Sequence, residues 1–334
     1  MLQGINNKKA NQNKVISPFS GAGGLDIGFE RAGFKIAVCV EVDHACCETL
    51  YTNKPELAII NKSIVDVTGQ EVLDAAGLKV GEAALVIGGP PCQSFSLAGL
   101  RRGLDDERGR LLFEYVRIVR ETLPKAFVLE NVKGLTAKKF QGLFDLLKTW
   151  LRDNGYGELA YAVLNTKDYG IPQNRERLWM FARLGGLPDG FSIVPPKRPN
   201  KLRLKDFLDK NPDPSLYLSS AQIKRLKDFY GFPSFKVKEP SCLDLYNRKV
   251  RDDGICITIL APEHNKLRVV EVPKRGKEIV RKLSVPEQFR LMGFKDGEID
   301  FAGQSYSQLS KRAANGWDVN VVGILLKHIF SQAI

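Results

Sequence analysis

Val15-Ile16-Ser17-Pro18-Phe19-Ser20-Gly21-Ala22-Gly23-Gly24-Leu25-Asp26-Ile27-Gly28-Phe29 sets an apolar run, a glycine cluster and a helical repeat in succession. Val15 and Ile16 are a short apolar run that stops at the glycine cluster Ser20 to Gly24. Leu25 to Ala32 then has helical spacing, with Leu25, Gly28 and Phe29 on one side. Strand, tight loop and helix therefore follow in that order. The same alternation continues outward. Ile36 to Val42 reads as a strand and Ala45 to Tyr51 as a helix. Ala84 to Ile87 is a buried-type strand ending at Gly88-Gly89-Pro90-Pro91. Leu111 to Thr122 is a helix stopped before Pro124, Ala126 to Leu129 a strand, and Phe140 to Leu151 a helix. Such alternation implies an α/β fold, a mostly parallel sheet with helices on both faces. Ligands of such sheets bind beyond the carboxyl ends of the strands.

The character changes after Phe181, where Gly185, Gly186, Pro188, Gly190, Pro195, Pro196, Pro199, Pro212 and Pro214 interrupt any long element. Up to about Lys282 the expectation is loops, short strands and at most two short helices; Ser284 to Leu291 and Asn320 to Ile329 again read as helices. Charge follows the same division. The 334 residues carry a net +12, and Lys197 to Arg281 alone holds 20 basic against 11 acidic residues. A polyanionic partner accounts for that concentration; a merely soluble basic surface is the alternative. The composition, 43% apolar and 26% charged, excludes disorder as the main state. No run approaches the roughly 18–20 apolar residues of a membrane span. Met1 to Lys14 lacks the apolar core of a secretory signal. Six scattered cysteines, two of them adjacent at Cys46 and Cys47, do not form a disulfide framework and point to a reducing cytosol.

Four groups of residues carry chemistry. Ser20 to Gly24 is a G-x-G-G turn, with Asp26 where a dinucleotide-binding loop would place its third glycine. Glu41, at the end of the second strand, can accept both hydroxyls of a ribose. Together these point to a nucleoside-bearing cofactor without a pyrophosphate; a packing turn beside a solvated Glu is the alternative. Gly89-Pro90-Pro91-Cys92-Gln93-Ser94-Phe95-Ser96 lies just past another strand, and two prolines present one Cys as a nucleophile would be presented. Phe95 stands where a zinc deaminase would have its second Cys. The three histidines, His44, His264 and His328, are too widely spread to imply a metal. Leu129-Glu130-Asn131-Val132 ends the fifth strand, and if the fourth and fifth strands are neighbours Cys92 and Glu130 converge on one pocket. Gln173-Asn174-Arg175-Glu176-Arg177 alternates, so that Gln173, Arg175 and Arg177 would share a face of an extended segment.

In this combination and order the motifs resemble those of the DNA cytosine-5 methyltransferases, particularly the compact bacterial enzymes of restriction–modification systems. The resemblance implies a Rossmann-like S-adenosylmethionine-dependent domain over residues 1–182 and 282–334, with a small irregular target-recognition domain over 183–281. Phe19, Ser20, Gly21, Gly23 and Gly24 resemble the cofactor loop, Glu41 the ribose ligand, and Val42 the adenine-packing residue. Ser63, Ile64, Pro91, Leu111 and Asn315 match further cofactor positions. Cys92 matches the nucleophile and Glu130 the residue that holds cytosine, with Arg175 and Arg177 at its oxygen edge. Gln93, Ser96 and Asn131 fall at the base pocket. Asp106 to Leu111 matches a further motif, and Arg281 to Gln288 with Met292-Gly293-Phe294 resembles the support of the recognition domain. Arg101 and Arg108 lie on the loop that would close over a flipped base and meet phosphates. Ile257-Thr258-Ile259 resembles the groove-facing Thr and its aliphatic neighbour; Thr258, Ile259, Arg248 and Arg251 are the residues expected at the DNA.

The chain departs from the family pattern at three places. Ser63 stands where an Asp is usual, Pro18 replaces a common Leu, and Ala314-Asn315-Gly316-Trp317 stands where G-N-S-V is usual. The resemblance implies S-adenosylmethionine as methyl donor, S-adenosylhomocysteine as product, and no metal. Its partner is duplex DNA, acted on by a monomer. A cognate restriction endonuclease would act on the same site without needing to bind the chain. The expected location is the bacterial cytosol, at the nucleoid when bound. A tRNA cytosine-5 methyltransferase shares the same Cys and Glu and stays open, as does an inactive DNA-binding regulator; an oxidoreductase is disfavoured by the missing third glycine.

Overall fold

The computed structural model describes residues 13–91, 107–198, 201–262, 264–274 and 277–332. The chain divides into two compact units. One runs to Leu164 and takes in Glu176–Pro195 and the chain from Val322; the other comprises Asn165–Arg175 and Pro196–Val321.

The first unit is built on a sheet of seven strands. They are β1 (Lys14–Pro18), β2 (Lys35–Val40), β3 (Ala58–Ile60), β4 (Leu85–Gly88), β5 (Ala126–Val132), β6 (Ala160–Asn165) and β8 (Glu176–Arg183), while β7 (Gln173–Asn174) belongs to the other unit. The spatial order is β3-β2-β1-β4-β5-β8-β6. The first five strands pair in parallel, and β8 pairs antiparallel with β5. The alternation accounts for the parallel strands, and the mixed, mostly parallel, Rossmann-like sheet is the one that the family resemblance implies. The order reverses between β1 and β4, which makes the carboxyl ends of these two strands the crevice where such sheets bind ligands.

The helices between the strands are α1 (Gly24–Arg31), α2 (His44–Asn53), α3 (Gly69–Ala76), α4 (Glu107–Thr122) and α5 (Gln141–Asp153). Each begins or ends for a local reason. Asp43 caps α2 by accepting from the Ala45 and Cys46 amides. Thr68 caps α3, and Gly77 ends it in left-handed backbone. One core cluster joins Ile16, Val38, Val86 and Phe127 of the sheet to Leu73, Leu112, Tyr115, Val119 and Leu147 of the helices. The Tyr115 hydroxyl lies 3.0 Å from the carbonyls of both Val86 and Val128, fastening α4 to β4 and β5. β3, α3, β6 and most of β8 are absent from the sequence reading, although Thr68-x-x-Glu71 carries a capping signal for α3.

The second unit contains a four-stranded antiparallel sheet, ordered β10 (Lys249–Arg251), β9 (Ser241–Asp244), β12 (Leu267–Lys274), β13 (Lys277–Arg281). Beside it β11 (Cys256–Ile257) pairs in parallel with β7. Its helices are α6 (Ser220–Tyr230), α7 (Val285–Arg290) and α8 (Tyr306–Asn315), each opened by a serine capping box; the helix that follows, α9 (Val319–Phe330), belongs to the first unit from Val322 onward. Cores form on both faces of the sheet. Leu243, Val270 and Val280 pack with Ile223 and Phe235, while Cys242, Leu267 and Val269 pack with Ile259, Leu283 and Leu291. Adjacent residues of β9 thus enter opposite cores, as a period of two requires.

Candidate active site

The loop after β1 is held from two sides. Gly21 and Gly23 adopt φ of 56° and 85°, the left-handed backbone that glycine takes without steric cost. A Cβ on Gly23 would also lie 2.9 Å from Leu50 Cδ2. Phe19 takes φ 59° without being glycine. Strain of this kind, about 1–3 kcal/mol per residue, concentrates at functional sites. The Glu41 carboxylate, just past β2, accepts the Gly21 amide at 2.8 Å through Oε2 and the Asp43 amide at 2.8 Å through Oε1. Asn61 donates to the Glu41 carbonyl at 2.8 Å. The side chain of Val42 is 66% exposed, an apolar surface left open beside the carboxylate. Ser63 precedes a 3-10 turn, Ile64–Asp66, in which Ile64 is buried. Arg117 clamps that turn, donating to the Ile64 and Val67 carbonyls at 2.8 Å each, and is itself held by Glu114 and Glu121. Arg117 and Asn61 are residues that sequence reasoning missed, because their partners lie far along the chain. Ser20 is buried, Leu111 half-buried and Pro91 exposed.

Beneath this loop lies a group whose titration sequence reasoning also missed. Asp26 of α1 is fully buried; Ser17 donates to it at 2.6 Å and the Cys39 thiol at 3.4 Å. Burial pushes its carboxyl up from 3.8 to about 6, against the hydrogen bond from Ser17. The folded state therefore holds this proton more tightly than the unfolded chain does. The resulting stabilisation is complete below about pH 4 and is lost as pH rises through about 6. A shift of this size is worth about 3 kcal/mol. Melting curves between pH 4 and pH 7 should show Asp26→Asn without this term, so that the difference between variant and wild type grows with pH across that window. A difference independent of pH would refute the assignment.

The second cluster sits at the ends of β4 and β5, which are neighbours as expected. Gly88 is required by close approach, since a Cβ there would meet the Pro18 carbonyl at 2.6 Å and Tyr115 at 2.8 Å. Asn131 donates to the Pro90 carbonyl at 3.1 Å, and its own Oδ1 accepts the Val132 amide at 2.8 Å. It thereby ties the end of β5 to the Pro-Pro segment that leads to Cys92. Glu130 Oε1 meets Arg177 Nε at 3.0 Å, with only 14% and 18% of the two side chains exposed. Burial pushes the Arg177 guanidinium down and Glu130 opposes it. The Glu176 carbonyl accepts from Arg177 Nη1 at 2.8 Å and fixes its plane. Cys92, Gln93, Ser96 and Arg101 lie outside the described residues, and Arg108 falls in the first turn of α4. The five described cysteines, Cys39, Cys46, Cys47, Cys242 and Cys256, are all buried. Burial raises the Cys39, Cys242 and Cys256 thiols, so none of these three is set up as a thiolate.

Arg175 and Arg177 take different partners. The Gln173 amide donates to the Ile171 carbonyl at 2.7 Å and the Arg175 amide to the Gln173 carbonyl at 3.1 Å. The buried Arg175 guanidinium instead donates to the carbonyls of Ala314 and Gly316, at 3.0 and 2.7 Å, on either side of the exposed Asn315. Gln173 donates to the Leu291 carbonyl at 2.8 Å. In the same unit Thr258 spends its hydroxyl on the Asn174 carbonyl at 2.7 Å, and Arg251 is paired with Asp253 at 2.6 Å. Ile259, expected to face a groove, is fully buried. Arg248 is exposed. Among the described residues no group of three or more His, Cys, Asp or Glu is placed to hold a metal ion, and no helix is long and apolar enough to cross a membrane.

Comparison with known proteins gives a consistent result. A family model described as C-5 cytosine-specific DNA methylase matches residues 13–331. The Type II methyltransferase M.FnuDI of Fusobacterium nucleatum is 31% identical, over 95% of this chain and 94% of that protein. M.AquIA of Picosynechococcus is 48% identical over 52% of this chain and 73% of its own. A DNMT2 structure from Spodoptera frugiperda, 19% identical, superposes with a TM-score of 0.72 over 95% of this chain and 99% of that one, which is a likeness of fold. The match over nearly the whole length, on a sheet of this order, shows that the chain belongs to the C-5 cytosine-specific DNA methylases and is a DNA (cytosine-5) methyltransferase.

Proposed function

We propose that the chain methylates carbon 5 of a cytosine flipped out of a specific duplex sequence, as the modification enzyme of a restriction–modification system. The observation that carries this reading is the Glu130–Arg177 pair at the end of β5, beside the Pro90 carbonyl that Asn131 holds on the way to Cys92. The names of the relatives, Type II methyltransferases, support the restriction–modification setting. The loop after β1 fits S-adenosylmethionine: Glu41 would offer carboxylate oxygens to the ribose and exposed Val42 an apolar face to adenine, with Ser63 and Ile64 as further holding residues. When bound, that group supplies an electrophilic sulfonium methyl.

The residues of the chain make cytosine reactive enough to take it. Cys92, as thiolate, adds to carbon 6, and the ring electrons move toward N3. Glu130 hydrogen-bonds N3 and the exocyclic amine, and Arg177 holds O2, so the charge that develops on the ring is met by fixed groups. Carbon 5 is then enamine-like and nucleophilic. The new bond to carbon 5 would replace the methyl group's bond to sulfur, leaving S-adenosylhomocysteine as a neutral thioether; the carbon 5 proton then departs to a base, Cys92 leaves carbon 6 with its bonding pair as thiolate, and the aromatic ring returns. Neither carbon is accessible in a stacked duplex, so the base must leave the helix at a cost of a few kcal/mol. Arg175, on the carbonyls that flank Asn315, serves as a positioning residue for that segment. Residues 183–281, with the excess basic charge, serve target recognition.

Methylation sequencing of DNA from a host expressing the chain tests the reading. The expected result is 5-methylcytosine at one recurrent short sequence. Unmethylated DNA, or methyl groups found on tRNA alone, would overturn it. Glu41→Ala should weaken S-adenosylmethionine binding at least about tenfold by calorimetry, since charge-assisted hydrogen bonds contribute about 1.5–3 kcal/mol each. An unchanged dissociation constant would remove Glu41 from the pocket.

A further inference from the structure

The connection between β9 and β10, Leu245 to Arg248, has three features that a plain surface turn would not combine. First, it is rigidly organised from below. The fully buried Asp244 accepts the Asn247 backbone amide at 2.9 Å through Oδ1 and the Asn247 side-chain amide at 2.8 Å through Oδ2. Leu245 is buried, and its amide donates to the Lys266 carbonyl at 3.0 Å. Second, its outer side chains project into solvent: Tyr246 is 77% exposed, and Asn247, Arg248 and Lys249 are exposed beside it. The exposed Lys266 adjoins them on the neighbouring chain segment, so the tip is cationic around one aromatic ring. Third, Arg248 takes φ 52°. Glycine or asparagine takes that conformation at lower cost, and Asn247 stands immediately before it. Arg248 thus occupies the left-handed position of a hairpin loop that Asp244 organises through two hydrogen bonds.

The other basic candidate of this region is already engaged, since Arg251 is neutralised by Asp253, and the Thr258 hydroxyl is spent on Asn174. We infer that the Tyr246–Lys249 tip is the base-reading element of the chain, with Arg248 reading a guanine edge in the major groove of the target duplex. This rests on the proposed action on duplex DNA and deepens it. A guanidinium fork held on a rigid turn matches the paired acceptors of guanine, whereas a phosphate contact needs no such order. Tyr246 supplies apolar contact to the groove wall, and Lys249 and Lys266 meet phosphates.

The test uses the full chain and genomic DNA from a methylation-free host, with the methylated sequences, duplex affinity against salt, and thermal melting measured for four variants. Arg248→Asn and Arg248→Gly keep the backbone conformation accessible and remove the fork. Both should melt no lower than wild type yet lose about tenfold or more of the preference for one base pair of the site, with the salt slope changed little. Lys249→Ala should weaken all duplexes alike and reduce the slope of log affinity against log salt by about 1. Tyr246→Ala should lower affinity for the target more than for other duplexes. If both Arg248 variants keep the wild-type site preference, the inference fails, whether affinity is unchanged or falls equally for every sequence. Wild-type chain that leaves all DNA unmethylated would instead overturn the function itself, and this reading with it.

Discussion

Glu130→Gln should slow methyl transfer by about 10²–10⁴-fold, the usual contribution of a positioned acid–base group, while leaving duplex binding near the wild-type level. The amide keeps the size of the carboxyl and can still meet Arg177 with its oxygen. What it loses is the negative charge that favours a proton or positive charge at N3 when the thiolate has added to carbon 6. Single-turnover methyl transfer measures the effect, and DNA carrying 5-fluorocytosine locates it. Fluorine cannot depart as a proton does, so wild type should accumulate a covalent adduct; Glu130→Gln should form it slowly, and Cys92→Ser not at all. Wild-type turnover by either variant would refute the covalent scheme. Slow turnover by Glu130→Gln with normal adduct formation would place the residue after the addition step.

Arg281→Met should destabilise the second unit by about 3–5 kcal/mol, as the removal of one partner from a buried ion pair does. Arg281 and Glu287 are both fully buried and form a two-pronged pair at 2.8 and 2.8 Å, and Glu271 meets Arg281 Nε at 2.6 Å. Burial works against the charge of Arg281, and Glu287 and Glu271 together more than offset it, leaving the guanidinium above its ordinary value. The same Glu287 carboxylate accepts the amides of Ser284 and Asp209, at 2.7 Å each, and so closes the cap of α7. Losing Arg281 strands this charge. The double change Arg281→Met with Glu287→Gln should recover part of the loss, because the stranded carboxylate is gone. Urea denaturation of both variants measures it, and an Arg281→Met variant within about 1 kcal/mol of wild type would show that the cluster contributes little.

Elements that rest on short-range signals follow the sequence, and those that rest on distant partners do not. The strand–loop–helix at Val15 to Ala32, the alternation through Leu151 and the late helices depend on periodicity and capping within a few residues, and the structure has them within three residues of their expected ends, save α4, which starts four residues earlier, at Glu107. The antiparallel sheet of the second unit was harder to read, because both its faces are covered and its strands lack a polar face. The strand α3 follows, β3, ends a short run between polar segments and gave no periodic signal.

Sequence alone determined the alternation, the glycine loop, the order of the motifs and, through them, the family. These are patterns of neighbours, and neighbours constrain one another through backbone sterics and hydrogen bonds of short span. The tertiary structure decided which side chains meet. It placed Arg177 on Glu130 but Arg175 on the carbonyls flanking Asn315, and it drew Glu41 onto the Gly21 amide and Asn131 onto the Pro90 carbonyl. It also spent Thr258 on Asn174 and left the tip at Arg248 exposed. Each of those hydrogen bonds or ion pairs joins residues 20 or more positions apart, and such a partner is chosen by how strands and loops pack, which no local spacing encodes.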